Sequence, residues 1–179
     1  MILIGFMGAG KTTIGKALSD TIHQPFYDLD HEITKDIKMP IADYFAQNGE
    51  RMFRELEVQY LANYAQKNAI ISTGGGCIES LSNRDLLLDR QDVIYLKADF
   101  DTLLYRIQKD QLNKRPTAKN KSYNELKAVL THRIEYYEQC ADYIIHTDEK
   151  SIKQIVNEII SETKLSRHPN FPMNIRSIL

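Results

Sequence analysis

The chain has 179 residues, 42% hydrophobic and 26% charged, a composition that suits one soluble domain with a proper core. A formal net charge of −1 argues against nucleic acid or an anionic membrane as a partner. No apolar run approaches the ~20 residues of a membrane span. A cleaved signal peptide is not expected, because a phosphate-binding motif begins at residue 5. Cys77 and Cys140 form no metal-spaced pair and read as reduced thiols in the cytoplasm. Cys77 follows three glycines and is expected as a small buried hydrophobe, a reactive thiol being the alternative.

The apolar run Met1–Ile4 predicts a first strand. It leads into Gly5-Phe6-Met7-Gly8-Ala9-Gly10-Lys11-Thr12-Thr13, which fits G-x-x-x-x-G-K-[ST] at every fixed position. A helical stripe of Ile14, Ala17, Leu18 and Ile22 follows, the strand–loop–helix context the motif requires. Gly5, Gly8 and Gly10 let the backbone curl so that successive N–H groups face phosphate oxygens, and the helix adds its positive end. Gly8, Ala9, Gly10, Lys11, Thr12 and Thr13 are the candidate ATP-binding residues; Lys11 reaches the outer phosphates and the Thr12 hydroxyl suits Mg²⁺.

The second strand, Pro25–Leu29, ends in Asp28-Leu29-Asp30. In an extended chain Asp28 and Asp30 project the same way, toward the crevice at the carboxyl ends of the strands. One then holds Mg²⁺ through water and the other accepts the proton of an attacking hydroxyl. The plainer alternative makes Asp30 the N-cap of the helix beginning at His31. Pro40–Lys67 reads as a short helix, a break at Gly49 and a long helix with a buried stripe of Phe53, Leu56, Tyr60 and Tyr64. Arg54 lies beside that stripe, in line with Val58 and Leu61. It either pairs with Glu50 and Glu57 at i−4 and i+3 or holds a substrate carboxylate.

Asn68–Thr73 predicts the third strand and runs into Gly74-Gly75-Gly76, which is either a tight turn or a place where a ligand meets bare N–H groups. Asp92–Leu96 predicts the fourth strand. Lys109–Lys121 is basic, contains Pro116 and lacks apolar periodicity, so it reads as a mobile lid with Arg115 as the cation it carries onto the transferring phosphoryl group. Ser122 with Glu125 forms a capping box before a helix with the stripe Leu126, Val129, Leu130 and Tyr137. Arg133 falls inside that stripe, placed for a carboxylate or else snorkelling at the stripe's edge. Asp142–His146 predicts a fifth strand, and Ile152, Ile155, Val156, Ile159 and Ile160 predict a last helix. Strands alternating with helices indicate a three-layer α/β/α fold with a parallel sheet, here one domain over residues 1–164, followed by a tail at 165–179 to which no role is assigned.

The order phosphate loop, Asp28-Leu29-Asp30, Gly49-Glu50-Arg51-Met52-Phe53-Arg54-Glu55-Leu56-Glu57, Gly74-Gly75-Gly76, Arg115-Pro116 and Arg133-Ile134-Glu135-Tyr136 resembles shikimate kinase from Met1 to about Thr163. The resemblance implies the nucleoside-monophosphate-kinase fold, with strand order 2-3-1-4-5, a substrate-binding region near 31–62 and a lid near 109–121. It implies Mg²⁺-dependent transfer of the γ-phosphoryl of ATP to the 3-hydroxyl of shikimate, in the pathway to chorismate and the aromatic amino acids, by a protein that is usually a monomer. By the same resemblance Asp30 binds substrate hydroxyls and acts as base, and Asp28 organises Mg²⁺ through water. Arg54 and Arg133 hold the shikimate carboxylate; Gly75 and Gly76 meet a ring hydroxyl, with Gly74 beside them a further substrate-binding candidate; Phe45 and Phe53 wall the pocket. Arg115 closes over the phosphates and Arg106 stacks near adenine. Thr12 stands where the family often has Ser, and residues 167–179 match nothing in the pattern. The rival readings are a kinase of another small hydroxylated acid such as gluconate, or of a nucleotide, and a nucleotide-dependent regulatory protein without transfer activity. Against the regulatory protein, no D-x-x-G follows a strand and no N-K-x-D is present.

Overall fold

A computed structural model describes residues 1–109 and 122–165. Residues 110–121 of the expected lid, Arg115 among them, and residues 166–179 of the tail lie outside the described residues. Among those described, five parallel strands form one sheet: β1 (Ile2–Ile4), β2 (Phe26–Asp28), β3 (Ile70–Ser72), β4 (Val93–Lys97) and β5 (Tyr143–His146), in the order β2-β3-β1-β4-β5. This is the expected architecture, each predicted strand being present with slightly different ends.

β1 sits in the middle, pairing Leu3 with Ser72 of β3 on one side and with Ile94 of β4 on the other. A strand covered on both faces must be apolar throughout, and Ile2, Leu3 and Ile4 are all buried. α1 (Lys11–Ile22) packs against α7 (Ile152–Leu165), and α4 (Leu81–Leu88) packs against α6 (Tyr123–Cys140), so that helices cover both sides of the sheet. α1 approaches the sheet closely because Gly15 has no side chain; a Cβ there would strike the Phe26 ring. α2 (Leu29–Ile37) and α3 (Ile41–Tyr64) pack together beside β2, and α5 (Phe100–Lys109) follows β4.

Three expectations need correction. β2 stops at Asp28, which is the N-cap of α2 and accepts from the His31 N–H, so Asp30 lies inside the first helical turn. Asp28 and Asp30 therefore do not project together as strand residues; the extended rule was carried past the strand's end. In α3 the fully buried row is Phe53, Glu57 and Leu61, while Leu56, Tyr60 and Tyr64 are only half-buried along its margin. Their phenols explain this: Tyr64 donates to Glu32 (2.9 Å) and Tyr60 to Asp36, binding α3 to α2 through polar tips. In α7, Ile155, Val156 and Ile159 are buried but Ile152, at its first residue, is exposed. The Gly49 break is present as a kink with φ 82° and ψ 159°, and the Ser122–Glu125 capping box is complete.

Candidate active site

The phosphate loop leaves the carboxyl end of β1 and enters α1. Gly8 and Gly10 hold φ 80° and 90°, values that a side chain would strain, and Gly10 caps α1 without a side-chain acceptor. The first N–H groups of a helix have no acceptor within it, an arrangement that suits an anionic ligand. Ala9 is buried beneath the loop and Thr13 is exposed at its exit. Lys11 is buried, and its Nζ donates to the carbonyls of Gly5 (2.7 Å) and Phe6 (3.0 Å), so the ammonium is held inside the loop's curve.

Thr12 Oγ1 donates to Asp28 Oδ2 at 2.5 Å. Asp28 thereby belongs with the phosphate loop. Asp30, two residues into α2, points elsewhere: its Oδ1 and Glu57 Oε1 both press on Gly74, where an added Cβ would lie 2.6 Å from each. The turn that separates the two acids sends one to each half of the site.

The second half is a pocket lined by Met7, Asp30, Ile41, Phe45, Phe53, Arg54, Glu57, Gly74, Gly75, Gly76 and Arg133. Every predicted substrate-binding residue is in it. Phe45 and Phe53 meet edge to face, with ring centroids 4.9 Å apart. The Arg54 guanidinium lies against Gly76, where a Cβ would displace it, and donates to Glu57 and Glu50 at 2.5 Å each. The pairing of Arg54 within its helix is therefore present, and the same residue lines the pocket. Arg133 is buried as part of the α6 stripe rather than snorkelling. Its Nε donates to Glu79 Oε1 (2.6 Å), Nη1 to the Gly75 carbonyl (3.2 Å), and its guanidinium lies 5.9 Å from the Phe6 ring centre. The Tyr137 hydroxyl donates to the same Gly75 carbonyl at 2.6 Å. Gly75 also abuts the phosphate loop, a Cβ there lying 3.1 Å from the Met7 nitrogen. Cys77 is buried just behind the glycine turn, and burial pushes its thiol well up from its ordinary pKa, as suits the packing role over a reactive one. Arg106 donates to Thr147 through Oγ1 (2.9 Å) and the backbone carbonyl (2.8 Å), beyond the end of β5.

Glu57 within the pocket, and Glu79 and Tyr137 behind it, were not anticipated. Glu57 is nearly fully buried, and burial outweighs its pairing with Arg54, which is shared with Glu50; the neighbouring Asp30 acts in the same direction. The Glu57 carboxyl is pushed up from 4.5 to about 7. A raised acid pKa means the folded state binds the proton more tightly than the unfolded chain. Its contribution to stability is then full below pH about 4.5 and lost as the pH rises through about 7. Glu57→Gln should flatten that part of the pH dependence, a difference of up to about 3 kcal/mol between pH 5 and pH 8. Denaturant unfolding of both proteins at the two pH values measures it; equal slopes would place the raised pKa elsewhere.

Among the described residues no cluster of three or more His, Cys, Asp or Glu side chains is arranged to hold a metal, and no helix is long and apolar enough to cross a membrane. The pair Thr12–Asp28 offers hard oxygen donors of the kind Mg²⁺ prefers when it also takes phosphate and water oxygens.

The profile of a family described as shikimate kinase matches residues 7–164. A shikimate kinase of Enterococcus faecalis is 43% identical over 164 residues, which cover 92% of this chain and 98% of that one. A solved shikimate kinase of Acinetobacter baumannii in complex with shikimate superposes with a TM-score of 0.86 at 30% identity, covering 93% of each chain. A gluconokinase of Sinorhizobium meliloti superposes with a TM-score of 0.56 at 14% identity, a likeness of fold alone.

Proposed function

The chain belongs to the shikimate kinase family and is an ATP-dependent kinase of shikimate, and from that premise we propose how its residues divide the reaction. The observation that carries the division is one pocket in which Asp30, Arg54, Arg133 and Gly74–Gly76 converge, walled on one side by Met7 of the phosphate loop. On the donor side, the N–H groups of Gly8–Thr13 and the positive end of α1 hold the ATP phosphates. Lys11 neutralises the outer oxygens, and Arg115 closes from the lid while Arg106 flanks the adenine. Phosphoryl transfer runs through a loose transition state, so these charges contribute more than proton abstraction.

Thr12 and, through water, Asp28 would hold Mg²⁺, which would supply charge neutralisation at the phosphate oxygens. Asp28 also holds the Thr12 hydroxyl in place, and as N-cap it fixes the start of α2 on which Asp30 rides. On the acceptor side, Arg54 and Arg133 hold the shikimate carboxylate, the Gly74–Gly76 backbone meets a ring hydroxyl, and Phe45 and Phe53 pack on the ring. Asp30 orients the 3-hydroxyl and accepts its proton as that oxygen bonds to the γ-phosphorus of ATP and the bond to ADP breaks. The apolar wall of buried Phe53 and half-buried Ile41 limits water as a competing nucleophile.

We read residues 1–164 as one domain on the strength of a core that is continuous from β1 to α7, with the substrate region at about 31–62, the lid at about 109–121 and no role assigned to 165–179. Two free buried thiols suit the cytoplasm, and a monomer suits a site built wholly from one chain. Shikimate-dependent ADP release, with Mg²⁺ omitted as control, tests the reaction. Arg133→Ala should raise the shikimate KM by the loss of a charge-assisted pair, on the order of 2–4 kcal/mol. An unchanged KM removes Arg133 from the carboxylate site.

A further inference from the structure

Glu79 lies outside the pocket, on the turn that follows Gly76, and accepts from Arg133 Nε. We propose that Glu79 is a positioning residue for the acceptor: it holds the Nε edge of Arg133 so that the guanidinium meets the substrate carboxylate in one orientation. This rests on the assignment of Arg133 to the acceptor carboxylate.

Arg133 sits on α6, one side of the site, with the Tyr137 hydroxyl of the same helix as a hydrogen-bonding neighbour, and groups from the facing turn complete its hold. The Gly75 carbonyl takes Nη1 at 3.2 Å and Glu79 Oε1 takes Nε at 2.6 Å. A guanidinium offers a carboxylate either the Nε–Nη edge or the end formed by its two Nη groups. With Nε occupied by Glu79, a substrate carboxylate is left the Nη end, which sets the angle at which an acid enters.

Glu79 is itself held firmly. Its N–H donates to the Gly76 carbonyl (3.0 Å), and Arg84 Nη1 donates to the carbonyls of Ile78 (2.8 Å) and Glu79 (3.0 Å). Arg84 in turn lies over the Tyr136 ring at 4.2 Å, which ties the turn back to α6. The second oxygen of Glu79 is 3.6 Å from His132 Nε2, also on α6. The carboxylate thus bridges the glycine turn to α6 from a backbone that cannot drift.

A carboxylate beside an acid-binding arginine has two opposed effects. It orients the cation, and it repels the incoming acid. The Glu79 side chain is 31% exposed and that of Arg133 only 6%. Solvent screens the repulsion between Glu79 and an incoming acid, whereas the 2.6 Å bond from Glu79 to the buried guanidinium is direct and charge-assisted. Orientation therefore dominates, and removal of Glu79 weakens acceptor binding.

The test is steady-state kinetics of Glu79→Ala and Glu79→Gln against both substrates, with the melting temperature measured for each. The expected result is a shikimate KM raised roughly ten-fold in Glu79→Ala, the scale set by a misplaced binding group. The KM for ATP, kcat and the melting temperature stay near wild type. Glu79→Gln, whose amide oxygen can still accept from Nε, recovers most of the loss. In an Arg133→Ala background Glu79→Ala should add nothing further. An unchanged or lower shikimate KM in Glu79→Ala, while Arg133→Ala raises it, overturns the positioning role alone. So does a parallel loss in kcat, both KM values and stability, which marks a merely structural residue, or a Gln variant as poor as Ala. If Arg133→Ala itself leaves the shikimate KM unchanged, the carboxylate assignment fails and this inference fails with it.

Discussion

Lys11→Met should lower kcat/KM for ATP by about 10³-fold while the protein remains folded, the loss of a preorganised cation at a site of developing charge. Met keeps the buried aliphatic stem, and what is removed is the ammonium, which the carbonyls of Gly5 and Phe6 hold at 2.7 and 3.0 Å inside the loop. The group is already in place before any substrate arrives, so little reorganisation accompanies the reaction. A variant of normal melting temperature that loses less than about ten-fold would mean that Lys11 only braces the loop.

Asp30→Asn has the second largest expected effect, a fall in kcat of roughly 10²-fold at nearly unchanged ATP affinity. The substitution is isosteric and leaves the backbone carbonyl of residue 30 to accept from Thr34, at 2.6 Å, so α2 should be undisturbed. The effect is smaller than that of Lys11 because the nucleophile's proton is transferred with little bond formation at phosphorus in a loose transition state. Asp30 and Glu57 press on the same glycine from two helices, so the amide should also remove the smaller, repulsive contribution that adds to burial in raising Glu57. Near-normal turnover with shikimate would remove the base role.

Much of this site was legible because its chemistry is locally encoded. The phosphate loop places its glycines, Lys11 and Thr12 by sequence spacing, and the helix dipole follows from the same eight residues. Arg133 was legible as a cation within an apolar stripe, a conflict that burial makes informative. Asp28 and Asp30 were recognised as a pair but misread in geometry, since only the structure shows β2 ending at Asp28 and turning into α2. Glu57 was noticed as an ordinary helical partner of Arg54. Its burial was not foreseen, because Phe53 begins two possible rows on α3, and Tyr60 and Tyr64 made the other row look apolar. Their hydroxyls, which seek Asp36 and Glu32, reverse that choice. Glu79 is 54 residues from Arg133 and carries no motif. Contacts of that separation are made by the topology, which brings the turn after β3 beside α6.

Asp28 contacts Thr12 of the phosphate loop and Asp30 lies against Gly74, and the proposed function gives the first to the phosphates and the second to the acceptor. Shikimate-dependent ADP release by Asp28→Asn and Asp30→Asn, measured across a range of Mg²⁺ concentrations, tests it most directly. Asn is an adequate N-cap, so both variants should keep α2. The account predicts that excess Mg²⁺ restores much of the activity of Asp28→Asn and none of that of Asp30→Asn. Recovery of Asp30→Asn by Mg²⁺, or the same response in both variants, would contradict it.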